Sequence, residues 1–256
     1  MWEYAAVWAV SKETDREPYV PSCIINELEQ VFDNITIPSL AHISHCFVDR
    51  PIINPTDDFL NKETVYLKER LSNLPDYVVP YRKDILQMFK FKKNILEESH
   101  KFLSENLKYG VDTVFVGVHV RRGDYIKVLP ALWKKDVVKP HYFLNLMTYF
   151  EVKYEYVVFI VLSDDPDWCT ENLIEGRSNV VVVRNSPLSR DLAIMAACNH
   201  SIIDYGTYGM WGAMMAGGET FLYNLSWGLE YRMSQLMPNW HLIDDINLVS
   251  VNLTQF

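Results

Sequence analysis

The sequence predicts an α/β protein built on a parallel sheet with helices over both faces. Three observations lead there. Beyond Lys108, runs rich in valine and isoleucine alternate with stretches of helical periodicity. Those runs are apolar at nearly every position, the pattern of strands buried on both sides. Prolines and glycines stand where helices should start and stop, as at Pro140, Pro166 and Gly217-Gly218. Residues 1–105 lack this texture. The chain therefore divides into residues 1–105 and residues 106–256.

In the first part, Met1–Ser11 reads as a helix, with Trp2, Ala5, Ala6, Ala9 and Val10 at helical spacing. Arg16–Pro21 is extended, since proline biases its predecessor away from helix. Ile24–Phe32 is amphipathic. From Pro38 to Pro55 the pattern breaks into turns, and Leu60–Pro80 is polar. Tyr81–Asn106 reads as one helical stretch, with apolar residues three and four apart.

In the second part the expected strands are Val114–Val120, Tyr156–Leu162, Val180–Val183, Ser201–Asp204 and Thr220–Leu225. The expected helices are His141–Tyr154, Asp165–Ile174, Ser189–Cys198 and Tyr208–Ala216. Ser189 is the expected cap of its helix. In this βαβα order the carboxyl ends of the strands share one edge, where ligands bind.

The 256 residues suffice for a sizeable core. A net charge of −9 argues against nucleic acid as a partner, since that needs a basic face. An anionic small ligand remains open, because a few arginines can outweigh the global charge locally. Cys23, Cys46, Cys169 and Cys198 show no CxxC spacing, so a zinc site is not expected. His42, His45 and Cys46 cluster, but no carboxylate or second cysteine completes a metal set. No run is long and apolar enough to span a membrane. Asn-x-Ser/Thr triplets start at Asn34, Asn199, Asn224 and Asn252, which fits a lumenal or secreted protein.

Three segments carry the chemistry. HVRRGD, residues 119–124, stands where the VFVGVHV strand ends. Arg121 and Arg122 offer charged, forked donors that match phosphate oxygens, and Gly123 lets the backbone turn closely around a ligand. The plain alternative is a solvated loop. In SRDLAIMAACNH, Asp191 either complements the helix dipole or accepts hydrogen bonds from a base or ribose. GTYGMW, residues 206–211, opens a helix, and Thr207 is either a cap or a phosphate contact. Asp165-Pro166-Asp167 has the DxD form of a metal site, but Pro166 at a helix start explains both aspartates as first-turn residues.

VFVGVHVRRGDY, the strand leading to Ser163-Asp164, and DLAIMAACNHSIIDYGTYGMWGAMMAGGETFLYNLSW closely resemble the α-1,2-fucosyltransferases of glycosyltransferase family 11. Met1–Pro21 also resembles the family's amino-terminal block. The long third segment is the specific one, since HxRRxD is shared with α-1,6- and O-fucosyltransferases. The resemblance implies a GT-B-like pair of Rossmann-type lobes with parallel sheets, residues 1–105 being the acceptor-side lobe and residues 106–256 the donor lobe. It implies GDP-fucose as donor, a galactose-terminated glycan as acceptor, no metal, and inverting transfer to the galactose 2-hydroxyl. By the same resemblance Arg121 and Arg122 hold the diphosphate. Gly123, Ser163, Asp191, His200, Thr207, Tyr208 and Gly209 line the donor pocket. Asp124 and His119 are the candidates to accept the acceptor's proton, and His119 reads equally as a packed core residue. Asn199 is expected to be buried and unmodified in the CNHSI turn.

The family pattern has a glycine-rich turn ahead of the methionine that corresponds to Met1. The first lobe is therefore expected to be truncated at its N-terminus, with a type II Golgi membrane anchor upstream. Two rival readings are a non-catalytic glycan- or nucleotide-binding relative and a fucosyltransferase of O- or α-1,6 linkage.

Overall fold

Seven residues of nearly unbroken apolar character, Val114–Val120, form strand β1 at the middle of the sheet. The computed structural model describes residues 1–43, 74–174, 176–225 and 228–244, so His45, Cys46 and the Asn252 triplet lie outside the described residues. The other strands are β2 (Val157–Ser163), β3 (Val180–Val182), β4 (His200–Ile203), β5 (Thr220–Tyr223) and β6 (Trp240–Ile243). Their order is β3-β2-β1-β4-β5-β6 and every pairing is parallel. The order reverses between β1 and β4, which opens a crevice at their carboxyl ends.

Alternation along β1 sends its side chains to two helical layers. Val116, Val118 and Val120 join a core with Tyr142, Phe143, Leu146 and Phe150 of helix α7 (Pro140–Lys153). On the other face, Gly117 lies against Met195 and Cys198, at the end of helix α9 (Leu188–Ala196). His119 lies against Gly209 of helix α10 (Thr207–Ala216). Gly209 and Gly212 let α10 approach closely: a Cβ at Gly212 would stand 2.5 Å from Met195 Sδ. The short helix α6 (Tyr125–Val128) follows β1, and helix α8 (Pro166–Leu173) packs on β2 and β3. Helix α11 (Leu229–Leu236) and β6 complete the sheet, and neither was expected from the sequence.

The chain falls into two compact units, Met1–Lys92 and Lys93–Phe256. In the first, helix α1 (Trp2–Thr14) buries Tyr4, whose hydroxyl accepts the N–H groups of Thr36 (2.8 Å) and Ile37 (3.0 Å). Helices α2 (Ser22–Leu28), α3 (Leu74–Val78) and α4 (Arg82–Met88) follow. The parallel sheet expected in this lobe has no counterpart among the described residues. They hold two isolated bridges, Val20–Ser39 and Phe32–Phe91.

The single helix expected over Tyr81–Asn106 is two, α4 and α5 (Lys93–Glu105). The break comes from aromatic packing: Phe32 meets Phe89 at 5.1 Å and Phe91 at 5.0 Å between ring centroids. Burying both phenylalanines outweighs the helical preference between them. The compact units divide ahead of α5, which packs on α9. Ser189 does not cap α9; Pro187 holds that position and makes no side-chain cap bond. Cys23, Cys169 and Cys198 are free. Among the described residues no helix is long and apolar enough to cross a membrane.

The amino-terminal edge of the sheet carries a polar network. Glu219, just before β5, accepts from Lys153 Nζ (2.8 Å) and Tyr149 Oη (3.0 Å), and His241 Nε2 stands 3.4 Å away. Burial pushes the Glu219 carboxyl up, but bonds from His241, Lys153 and Tyr149 outweigh it and bring it to about 2, from 4.5. A depressed carboxylate stabilises the fold above its unfolded value and loses that contribution as pH falls. Glu219→Gln is expected to cost roughly 1–3 kcal/mol at pH 7. Thermal melts from pH 7 to 2 check this: the difference from the parent should shrink between pH 4.5 and about 2.

Candidate active site

The carboxyl ends of β1, β2 and β4 bring the expected residues together. Val120 is paired with Ser163, so the chain leaves β1 into Arg121-Arg122 beside the end of β2. His119 is paired with Ile203, which sets the same point beside the end of β4. Asp204 follows β4 directly and is 1% exposed. Its Oδ2 accepts the Arg121 N–H at 2.7 Å and its Oδ1 accepts the Tyr205 N–H at 2.7 Å. His119 Nδ1 stands 3.6 Å from Asp204 Oδ1. Burial raises the Asp204 carboxyl; His119 and the two N–H donors work against that rise.

Arg121 reaches out from this lock. Its guanidinium donates to Asp124 Oδ1 and Asp164 Oδ2 and lies 5.6 Å from the Tyr125 ring centroid. Tyr125 in turn stacks on buried Tyr205, with centroids 4.8 Å apart. Asp164 also accepts the Arg122 N–H at 2.8 Å, and a Cβ at Gly123 would collide with its Oδ2. One carboxylate thus orders the whole Arg121–Gly123 turn and leaves space there only for glycine. Arg122 turns toward β2, where its Nε donates to Asp165 Oδ2 at 3.0 Å. Its terminal Nη groups take no hydrogen bond among the described residues. They border a cleft of about 420 Å³ that Ile126, Val138, Pro140 and Trp168 also line.

Helix α10 starts at the crevice behind Gly206, whose φ of 92° and ψ of 152° are open essentially to glycine alone. This turn aims the first backbone N–H groups of α10 at the crevice. Gly206 holds the cap position of α10 and Thr207 is its first helical residue. The Gly206 N–H is taken by buried Glu230 at 3.3 Å. Tyr208 donates its hydroxyl to Leu188 O at 2.6 Å and lays its ring 5.4 Å from His119. Asp191 is half-buried, and its inward Oδ1 has no hydrogen-bond partner. Burial raises its carboxyl, with Ser186, Arg190 and His119 opposing.

His200 and Asn199 do not sit where they were expected. His200 is the first residue of β4, so it lies at the opposite edge of the sheet. Its ring nitrogens bond Tyr154 Oη (2.7 Å) and the Glu219 N–H (3.1 Å), far along the strand from any ligand edge. Asn199 is exposed rather than buried, although its Oδ1 accepts the Phe115 N–H at 2.8 Å. Gly209 is buried beneath the His119 ring, so packing accounts for it. His119 itself is 7% exposed and sits in the core, as one of its two readings held. Ser163 Oγ accepts the Asp165 N–H at 2.9 Å and shapes the turn after β2.

The DxD aspartates are both engaged as a helix start requires. Asp165 caps α8 through the Trp168 N–H, and Asp167 pairs with Arg184 at 2.7 Å. Asp164, Asp204 and Tyr125 are the site residues that motif reading passed over. Asp204 had a signal, an acid directly after the apolar run SerIleIle.

The family model for glycosyl transferase family 11 matches residues 1–244. The chain belongs to glycosyl transferase family 11. It is 32% identical over 231 residues to the galactoside alpha-(1,2)-fucosyltransferase 2 of Pongo pygmaeus, covering 86% of this chain and 66% of the relative. It is 30% identical over 258 residues to the galactoside 2-alpha-L-fucosyltransferase SEC1 of Bos taurus, covering 94% of this chain and 69% of the relative. The family 11 chain thus spans about two thirds of the length of curated relatives it matches. Among solved structures, the NodZ alpha-1,6-fucosyltransferase soaked with GDP-fucose superposes with a TM-score of 0.51 at 14% identity. It covers 88% of this chain and 90% of that one. The fold class of this family 11 member is α/β and GT-B-like, as expected.

Gly209→Ala tests the packing at the crevice floor. A Cβ there would stand 2.8 Å from His119 Nδ1 and 3.0 Å from its Cγ, inside a closed core. The substitution is expected to cost about 1–3 kcal/mol in chemical denaturation.

Proposed function

We propose that this chain transfers fucose from GDP-fucose to the 2-hydroxyl of a galactose-terminated glycan, inverting the anomeric centre, as an α-1,2-fucosyltransferase. The names of its family 11 relatives supply the linkage. The observation that carries the chemistry is the convergence of the Arg121-Arg122 turn and the start of α10 on the crevice where the strand order reverses. Such a crevice is where open α/β sheets bind nucleotides.

In this reading the diphosphate lies across the crevice, with Arg121 and Arg122 on one side and the first N–H groups of α10 on the other. Thr207 and Tyr208 line the α10 side. Asp191, in the first turn of α9, accepts hydrogen bonds from the base or ribose. The acceptor oxygen attacks fucose C1, the bond from C1 to the phosphate oxygen breaks, and the pair of electrons leaves with GDP. Arginine donors aimed at the departing oxygens stabilise that charge.

The acceptor proton needs a base. Of the two candidates, Asp124 is the exposed one and His119 is buried. Asp124 is held by Arg121. A phosphate oxygen arriving on that arginine displaces Asp124 and frees its carboxylate for the proton. The reaction belongs to glycan synthesis in the Golgi.

Arg121→Ala is expected to lower kcat/KM with GDP-fucose and lactose by at least about a hundredfold and to weaken GDP binding. Unchanged turnover would remove Arg121 from the mechanism. Transfer is expected to persist in EDTA, and loss of activity there would restore the metal reading of Asp165 and Asp167. Tight GDP-fucose binding without any fucosylated lactose would favour a non-catalytic relative.

A further inference from the structure

Arg122 is gripped in a way that Arg121 is not. The two oxygens of Asp165 serve two elements: Oδ1 accepts the Trp168 N–H at 3.2 Å and caps α8, while Oδ2 accepts Arg122 Nε at 3.0 Å. The indole of Trp168 lies under the guanidinium, with Cζ 4.0 Å from the ring. Phe143 of α7 backs that indole edge-on at 6.5 Å. The Arg122 side chain keeps 14% of its surface exposed. A cation desolvated over an indole and tied at Nε has lost most of its rotamer freedom before any ligand arrives.

We propose that Trp168, with Asp165, is a positioning residue that holds Arg122 as a fixed shelf, its free Nη edge presented to a diphosphate oxygen. Arg121, 37% exposed, reaches the same ligand from its pairs with Asp124 and Asp164; Arg122 is preorganised by the first turn of α8. Preorganisation lowers the ordering cost of binding, so its loss weakens the anion and leaves the nucleoside untouched. The proposal rests on the reading that Arg122 meets the donor diphosphate.

The experiment is calorimetric titration of the full chain with GDP and, separately, with guanosine, which lacks the phosphates. Trp168→Leu is expected to weaken GDP about tenfold and leave guanosine unchanged. Asp165→Asn keeps a good helix cap and removes the carboxylate charge that faces Arg122 Nε; it is expected to weaken GDP severalfold. In an Arg122→Ala background, Trp168→Leu should cost nothing further. GDP affinity unchanged in both Trp168→Leu and Asp165→Asn overturns the proposal. So does an equal loss for GDP and guanosine, which would mark a merely structural role. If the donor reading itself is wrong, Arg122→Ala alone binds GDP like the parent.

Discussion

The buried carboxylate of Asp204 joins the two halves of the sheet where the strand order reverses. It takes the N–H of Arg121 at the end of β1 and that of Tyr205 at the end of β4. Without it, two backbone donors at the most polar point of the sheet edge would be left unpaired, at a cost of about 1–3 kcal/mol each. The lock also decides direction. Arg121 leaves β1 toward the crevice because its backbone is held from the β4 side, and Gly206 turns α10 toward the same space.

Around that lock the arginines sit in a cage of acids. Asp124, Asp164 and Asp165 all bond guanidinium groups. Each guanidinium is therefore matched by at least one carboxylate before a ligand arrives. Such a cage orients the donors in advance, and a ligand with several phosphate oxygens can replace an exposed carboxylate such as Asp124 without leaving an arginine unpaired. The more buried partners stay in place because removing one charge from a pair costs more than never burying it.

The two edges of the sheet have separate work. At the carboxyl edge, glycines and paired arginines leave backbone and side chains open to a ligand. At the amino edge, Glu219 gathers Lys153, Tyr149 and His241 into a closed network, and His200 stacks between Tyr154 and Phe150 at 5.1 and 5.2 Å. Here Glu219 and His200 are directed at other protein groups, so they contribute stability rather than chemistry.

Residues 106–256 were largely legible from their order: apolar runs such as Val114–Val120 can only be strands buried on both faces, and parallel order sends HVRRGD and GTYG to one edge. Those same motifs, by resemblance, pointed to the family. Resemblance alone assigns His200 to the donor pocket, although the expected strand Ser201–Asp204 already sets it at the amino end, away from the ligand edge. The sequence could not show the split of Tyr81–Asn106, where contact between Phe32 and Phe89, far apart in the chain, overrides local helical periodicity. Local pattern determined element type and direction, since these depend on neighbours within a few residues. Tertiary structure decided which oxygen meets which arginine, because Asp164, Asp165 and Asp204 reach Arg121 and Arg122 across strands that only the folded sheet brings side by side.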